Sequence, residues 1–128
     1  MIYLDSSVAL AHVLREARAP SQALWNERLV SSQLLEYEIW TRIHGRGLSS
    51  SHAEEVHAVI GRVALIELEP AVLTRALQPF PAAVRTLDAL HLATMEHSRA
   101  GGQDVALASY DERLLAAARA LGFAATKV

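Results

Sequence analysis

The order of elements in this sequence predicts an α/β fold, a parallel β-sheet with helices on both faces. Two observations carry that reading. Short apolar runs suited to buried strands recur five times, at MIYLD, RLVSS, VALIEL, DVALASYD and FAATKV. Between them lie segments with apolar residues at helical spacing. Parallel strands need such crossovers, and returning helices cover the sheet on both sides. The chain has 128 residues, 52% of them hydrophobic and 20% charged, which suits one domain over 1–128 with a real core.

Met1–Asp5 reads as a short buried strand. Ser6 or Ser7 can cap the next helix, where Val8, Leu10, Ala11 and Leu14 fit helical spacing. Pro20 and Ser21 open a short helix through Trp25. RLVSS is a second strand. In QLLEYEIWTRIHGRG, Leu34, Leu35, Ile39 and Ile43 keep helical spacing, and Gly45 or Gly47 ends the run. The next helix carries Ser51 with Glu54 three residues later, a capping-box pattern. VALIEL is a strand ending before Pro70, PAVLTRAL is a helix, and Pro79 and Pro81 break the chain. AAVRTLDALHLATMEHSRAGG reads as one long helix closed by Gly101. DVALASYD is a strand, DERLLAAARALG a helix and FAATKV the last strand.

Composition narrows the function. A formal net charge of -2 argues against a protein that coats nucleic acid over its whole surface, though not against a local basic patch. There is no cysteine, which removes disulfides and thiolate metal sites and fits a cytoplasmic location. Asp5 interrupts the first apolar run, so no secretory leader is expected, and no apolar stretch reaches the length of a membrane span.

Four acidic residues stand out by position. Asp5 ends the first strand and Asp111 the fourth. In open parallel sheets, chemistry collects just beyond such carboxyl ends. Glu38 lies among apolar neighbours in the helix after the second strand, and Asp88 sits in LDALHLA on an otherwise apolar helix. Each has a bland reading. Asp5 and Asp111 could cap helices, and Glu38 could face solvent. Asp88 is hardest to explain that way, because an unpaired buried charge is expensive. Several carboxylates at one sheet edge repel each other, and a divalent cation removes the repulsion. Hard oxygen donors in a half-open cluster suit Mg²⁺ or Mn²⁺. Such an ion can activate a water and clamp a phosphate oxygen, the chemistry of phosphodiester cleavage.

Four segments sharpen this. MIYLDSSVALA, VSSQLLEYEIWTRI, RTLDALHLATM and ASYDERLLAAARALG resemble the signature segments of PIN-domain ribonucleases, most closely the VapC-type toxins of bacterial toxin–antitoxin pairs. The likeness spans nearly the whole chain. It implies a five-stranded parallel sheet and a metal-dependent endoribonuclease that hydrolyses RNA phosphodiester bonds. It places the catalytic and metal-binding acids at Asp5, Glu38, Asp88 and Asp111, with Glu38 a better match than Glu36. Ser6 and Ser109 stand where the family has small hydroxyl residues. The implied cofactor is Mg²⁺, for which Mn²⁺ can substitute. The implied partners are a cognate VapB-like antitoxin, RNA and a second copy in a homodimer.

None of the six His forms a convincing ligand pair: His52 and His57 are five apart, His91 and His97 six. His91, three residues after Asp88, is expected to pack beside it. Arg85, one turn before Asp88, could pair with a carboxylate or hold a substrate phosphate. Arg42 and Arg46 could form a basic rim or a plain solvated face. Leu10, Leu14, Trp25, Leu35 and Trp40 could be core, or a groove for an antitoxin helix. Two other functions remain alternatives. A degenerate PIN-like protein-binding module would not need all four acids. An Asp-based phosphotransfer domain wants its acceptor at the end of the third strand, which here reads ELEP.

Overall fold

In the computed structural model, which describes all 128 residues, the strands are β1 (Ile2–Leu4), β2 (Leu29–Ser32), β3 (Val63–Ile66), β4 (Ala106–Ala108) and β5 (Ala124–Ala125). They form one sheet in the order β3-β2-β1-β4-β5, every neighbouring pair parallel. The α/β expectation is met. β1 is central: Tyr3 pairs with Val30 on one side and Leu107 on the other. From β1 the chain builds outward through β2 and β3, then crosses to the opposite side for β4 and β5. The winding reverses between β1 and β4, and a crevice opens beyond the carboxyl ends of these two strands.

The helices are α1 (Ser6–Val13), α2 (Leu34–Gly45), α3 (Ser49–Ile60), α4 (Pro70–Ala76), α5 (Thr86–Ala100) and α6 (Glu112–Ala120), with a 3₁₀ turn at Gln22–Asn26. Side chains alternate across a strand, so β1 feeds two cores. Leu4 joins Val8, Leu35, Ile39, Ile43 and Val56 of α1–α3 on one face. Tyr3 joins Leu92, Met95, Leu114 and Ala118 of α5 and α6 on the other.

Several local expectations are corrected. Asp5, not Ser6 or Ser7, holds the position before α1, and its carbonyl accepts from Val8 and Ala9. α3 starts at Ser49, so Ser51 lies inside it; its hydroxyl bonds back to the Leu48 carbonyl, and no capping box forms with Glu54. α5 starts at Thr86, four residues later than the apolar pattern suggests. The Asp88 carboxylate accepts from the Arg85 N–H, which fixes the helix start there. Gly101 closes α5 as expected, and of the two glycines offered for the end of α2 the left-handed Gly47 turns the chain away. The groove suggested by the early helices is core: Leu10, Trp25 and Leu35 are buried, and Leu14 and Trp40 pack against them. The exposed large hydrophobic side chains are Tyr37 on α2 and, away from the early helices, Leu73, Leu77 and Leu87. An apolar groove of about 790 Å³ between α4, α5 and the Pro79–Pro81 segment is lined in part by Leu73, Leu77 and Phe80.

Candidate active site

Asp5, Glu38, Asp88 and Asp111 line one cleft of about 660 Å³, together with Ser6, Ser7, Arg42 and Arg85. Four separate segments deliver them. Asp5 follows β1, Glu38 lies in the second turn of α2, Asp88 in the first turn of α5, and Asp111 caps α6 just beyond β4. The first-turn position of Asp88 sets its charge against the positive end of a helix.

Asp5 is 6% exposed, and its carboxylate caps nothing. The hydroxyls of Ser7 (2.5 Å) and Ser109 (2.7 Å) both donate to its Oδ2. Ser7 Oγ accepts from the Tyr110 N–H, and Ser109 Oγ accepts from the Asp111 N–H. These four bonds tie the end of β1 to the end of β4. Asp5 thus has neutral hydroxyl partners and no cationic one.

Asp111 divides its two oxygens. Oδ1 accepts from the Arg113 and Leu114 N–H groups, and Oδ2 accepts from Arg85 Nη2 at 3.2 Å. Arg85 Nε also reaches Asp88 Oδ2 at 3.4 Å. The Arg85 side chain, 63% exposed, therefore spans two of the four acids in a geometry weakened by solvent. Glu38 Oε1 meets His91 Nε2 at 2.6 Å, and His91 Nδ1 meets the Tyr3 hydroxyl at 2.6 Å. Burial opposes charging of His91, but the hydrogen-bonded Glu38 carboxylate, with Asp5 and Asp88 behind it, holds its pKa above the ordinary histidine value. Burial pushes the Tyr3 phenol far up, so it keeps its proton.

This constellation sits in a chain whose residues 2–120 match the family model of the PIN domain. The chain belongs to the PIN-domain family. It is 34% identical over 130 residues to ribonuclease VapC35 of Mycobacterium tuberculosis, covering 97% of this chain and 94% of that protein. It is 32% identical over 126 residues to ribonuclease VapC46 of the same organism, covering 96% and 94%. The resemblance read from the four segments to VapC-type PIN proteins is met.

The placement of the four acids in this PIN domain was legible, but some of their partners were not. Ser7, not Ser6, bonds to Asp5; Ser6 lines the cleft without bonding any of the acids. His91 was expected beside Asp88 and instead reaches Glu38, 53 residues away in sequence. Arg42 reaches the cleft, while exposed Arg46 lies outside its lining.

The donor chemistry fits a hard divalent cation. Carboxylate and hydroxyl oxygens dominate the polar lining, and buried Asp5 has only neutral partners for its charge. No group of three or more His, Asp or Glu side chains is arranged to cage a metal as it stands.

Proposed function

We propose that this protein is a Mg²⁺-dependent endoribonuclease of the VapC type, acting in the cytoplasm as the toxin of a toxin–antitoxin pair. The observation that carries this reading is the convergence of Asp5, Glu38, Asp88 and Asp111 on one cleft, with buried Asp5 lacking a cationic partner. Family membership and the ribonuclease names of its relatives support it. No helix is long and apolar enough to cross a membrane.

In this reading Asp5, Asp88 and Asp111 hold the ion directly or through water, and Mn²⁺ can replace Mg²⁺. A bound divalent cation supplies Lewis acidity toward a phosphate oxygen and makes a coordinated water more acidic. Ser7 and Ser109 fix the Asp5 carboxylate by occupying Oδ2, which leaves Oδ1 free of protein hydrogen bonds. Glu38 orients the attacking water and takes its proton. Arg85 offsets part of the charge of Asp88 and Asp111, and its exposed guanidinium is placed to hold a substrate phosphate as well. Arg42 adds a second positive charge at the cleft. Protein partners would be a VapB-like antitoxin and a second copy of the chain, with Leu73, Leu77 and Leu87 the exposed apolar side chains open to such contacts.

The test is Mn²⁺ calorimetry on the wild type and on Asp5→Asn, paired with cleavage of labelled RNA. Wild type should bind Mn²⁺ and cleave, and the variant should do neither. Wild-type Mn²⁺ affinity in Asp5→Asn would remove Asp5 from the site.

A further inference from the structure

The side chain that holds Glu38 is itself held. His91 is 1% exposed and Tyr3 is 0% exposed, so neither takes its hydrogen bonds from water. The Ser32 N–H donates to the Tyr3 oxygen at 3.1 Å. The phenol meets His91 Nδ1 at 2.6 Å, edge-on, with the two rings at 85°. His91 Nε2 meets Glu38 Oε1 at 2.6 Å. These residues come from β2, β1, α5 and α2. Glu38 arrives with the helix layer that packs on Leu4, and His91 with the layer that packs on Tyr3. The chain of bonds therefore bridges the two layers at the carboxyl edge of the sheet.

Elementary chemistry limits what this chain can be. A carboxylate oxygen only accepts, so the short bond to Glu38 requires hydrogen on Nε2. A neutral imidazole carries one N–H, and left alone it exchanges between two tautomers. With hydrogen on Nδ1, an Nε2 lone pair would face the carboxylate and the bond would be lost. The phenol keeps its own proton and can donate it to Nδ1, which selects the Nε2–H form. If the ring becomes charged, Nδ1–H donates to the phenol oxygen. Nε2–H faces Glu38 in both states. Oε1 is thereby occupied, and Oε2, on a residue lining the cleft, has no protein hydrogen bond.

We propose that Tyr3 and His91 are positioning residues for Glu38: the Tyr3 hydroxyl sets the His91 tautomer, and His91 Nε2–H fixes the carboxylate so that Oε2 faces the substrate cleft. The inference rests on Glu38 belonging to the ribonuclease site. Neither residue touches substrate; both act through Glu38. Groups that orient a reacting carboxylate typically change activity about 10–100-fold when removed.

The experiment uses the purified chain and four variants, Tyr3→Phe, His91→Gln, the double variant Tyr3→Phe/His91→Gln, and Glu38→Gln, each shown folded by its melting transition. In metal-free protein at alkaline pH, ¹⁵N resonances of the His91 ring should show hydrogen on Nε2 in the wild type and mixed tautomers in Tyr3→Phe. With Mn²⁺ and a mixed-sequence single-stranded RNA bearing fluorophore and quencher, Tyr3→Phe should lower kcat about tenfold with KM unchanged. His91→Gln should retain part of the activity, since its amide can donate to Glu38. In that background the further loss of the Tyr3 hydroxyl should change kcat less than about twofold, because an amide has no tautomer to set. A purely structural hydroxyl would cost the same in both backgrounds, and that result overturns the proposal. So does an unchanged tautomer in Tyr3→Phe, or wild-type kcat in Tyr3→Phe beside an inactive Glu38→Gln. A fully active Glu38→Gln is a different failure: it removes Glu38 from the site, and the positioning role goes with it.

Discussion

Asp111 can be read both as a helix cap and as a site acid, and two substitutions separate the roles. Its Oδ1 caps α6 through the Arg113 and Leu114 N–H groups at 2.9 and 3.3 Å, while Oδ2 faces Arg85 at 3.2 Å. Asn caps as well as Asp, so Asp111→Asn keeps the first pair of bonds. It loses the Arg85 attraction, worth well under about 1 kcal/mol for a guanidinium so exposed, and a helix-dipole contribution of about 0.3–1 kcal/mol. Asp111→Ala loses these and the cap, a further ~1 kcal/mol. At roughly 4 °C per kcal/mol for a chain of this size, the alanine variant should melt about 4 °C below the asparagine variant. Both should lose RNA cleavage by about 100-fold or more, because each removes the same charge from the cleft. Thermal denaturation with EDTA and a fluorescent RNA assay with Mg²⁺ measure the two effects. Wild-type cleavage by Asp111→Asn would leave Asp111 a cap alone. Equal melting of the two variants would refute the division between its oxygens.

Three further outcomes are expected. Asp5→Asn should fold with a melting midpoint near the wild type, but lose the Mn²⁺-induced rise, about 2.7 kcal/mol at a hundredfold excess over Kd; a retained rise would contradict its role. Arg85→Gln should bind Mn²⁺ about two- to tenfold more tightly by calorimetry, since an internal cation no longer competes for Asp88 and Asp111; unchanged or weaker binding would show that Arg85 does not oppose the ion. In metal-free protein, the pKa of His91 is raised above its unfolded value of 6.5, so the folded chain holds that proton longer. The resulting stabilisation is full below about 6.5 and is lost as pH rises through the folded value. Urea midpoints in EDTA should fall over that window, and His91→Gln should flatten the slope; an equal slope in the variant would assign it to another group.

The sheet and the four acids were readable because both depend on local pattern. Apolar runs of strand length alternate with helical spacing, and Asp5 and Asp111 close two of those runs. What escaped was set by longer-range geometry. Whether Ser6 or Ser7 faces Asp5 depends on the phase of α1 against the end of β4, where Ser7 meets Tyr110. The partner of His91 depends on how α2 and α5, on opposite faces, meet at the sheet edge, and nothing within either helix encodes that meeting. Tyr3 looked like one more apolar strand residue, though its hydroxyl in a buried strand needed a partner. The bulky side chains of the early helices suit a groove or a core equally in sequence, and only their packing against the sheet face covered by α1–α3 makes them core.

The acidic cleft is expected to cleave RNA only with the help of a divalent ion. This dependence is tested most directly by incubating the purified chain with labelled single-stranded RNA in EDTA, then adding Mg²⁺ in excess of the chelator. Internal cleavage should be absent with EDTA and appear on Mg²⁺ addition for the wild type, and be absent throughout for Asp88→Asn. Cleavage that persists in EDTA, or that Asp88→Asn retains with Mg²⁺, would contradict the account.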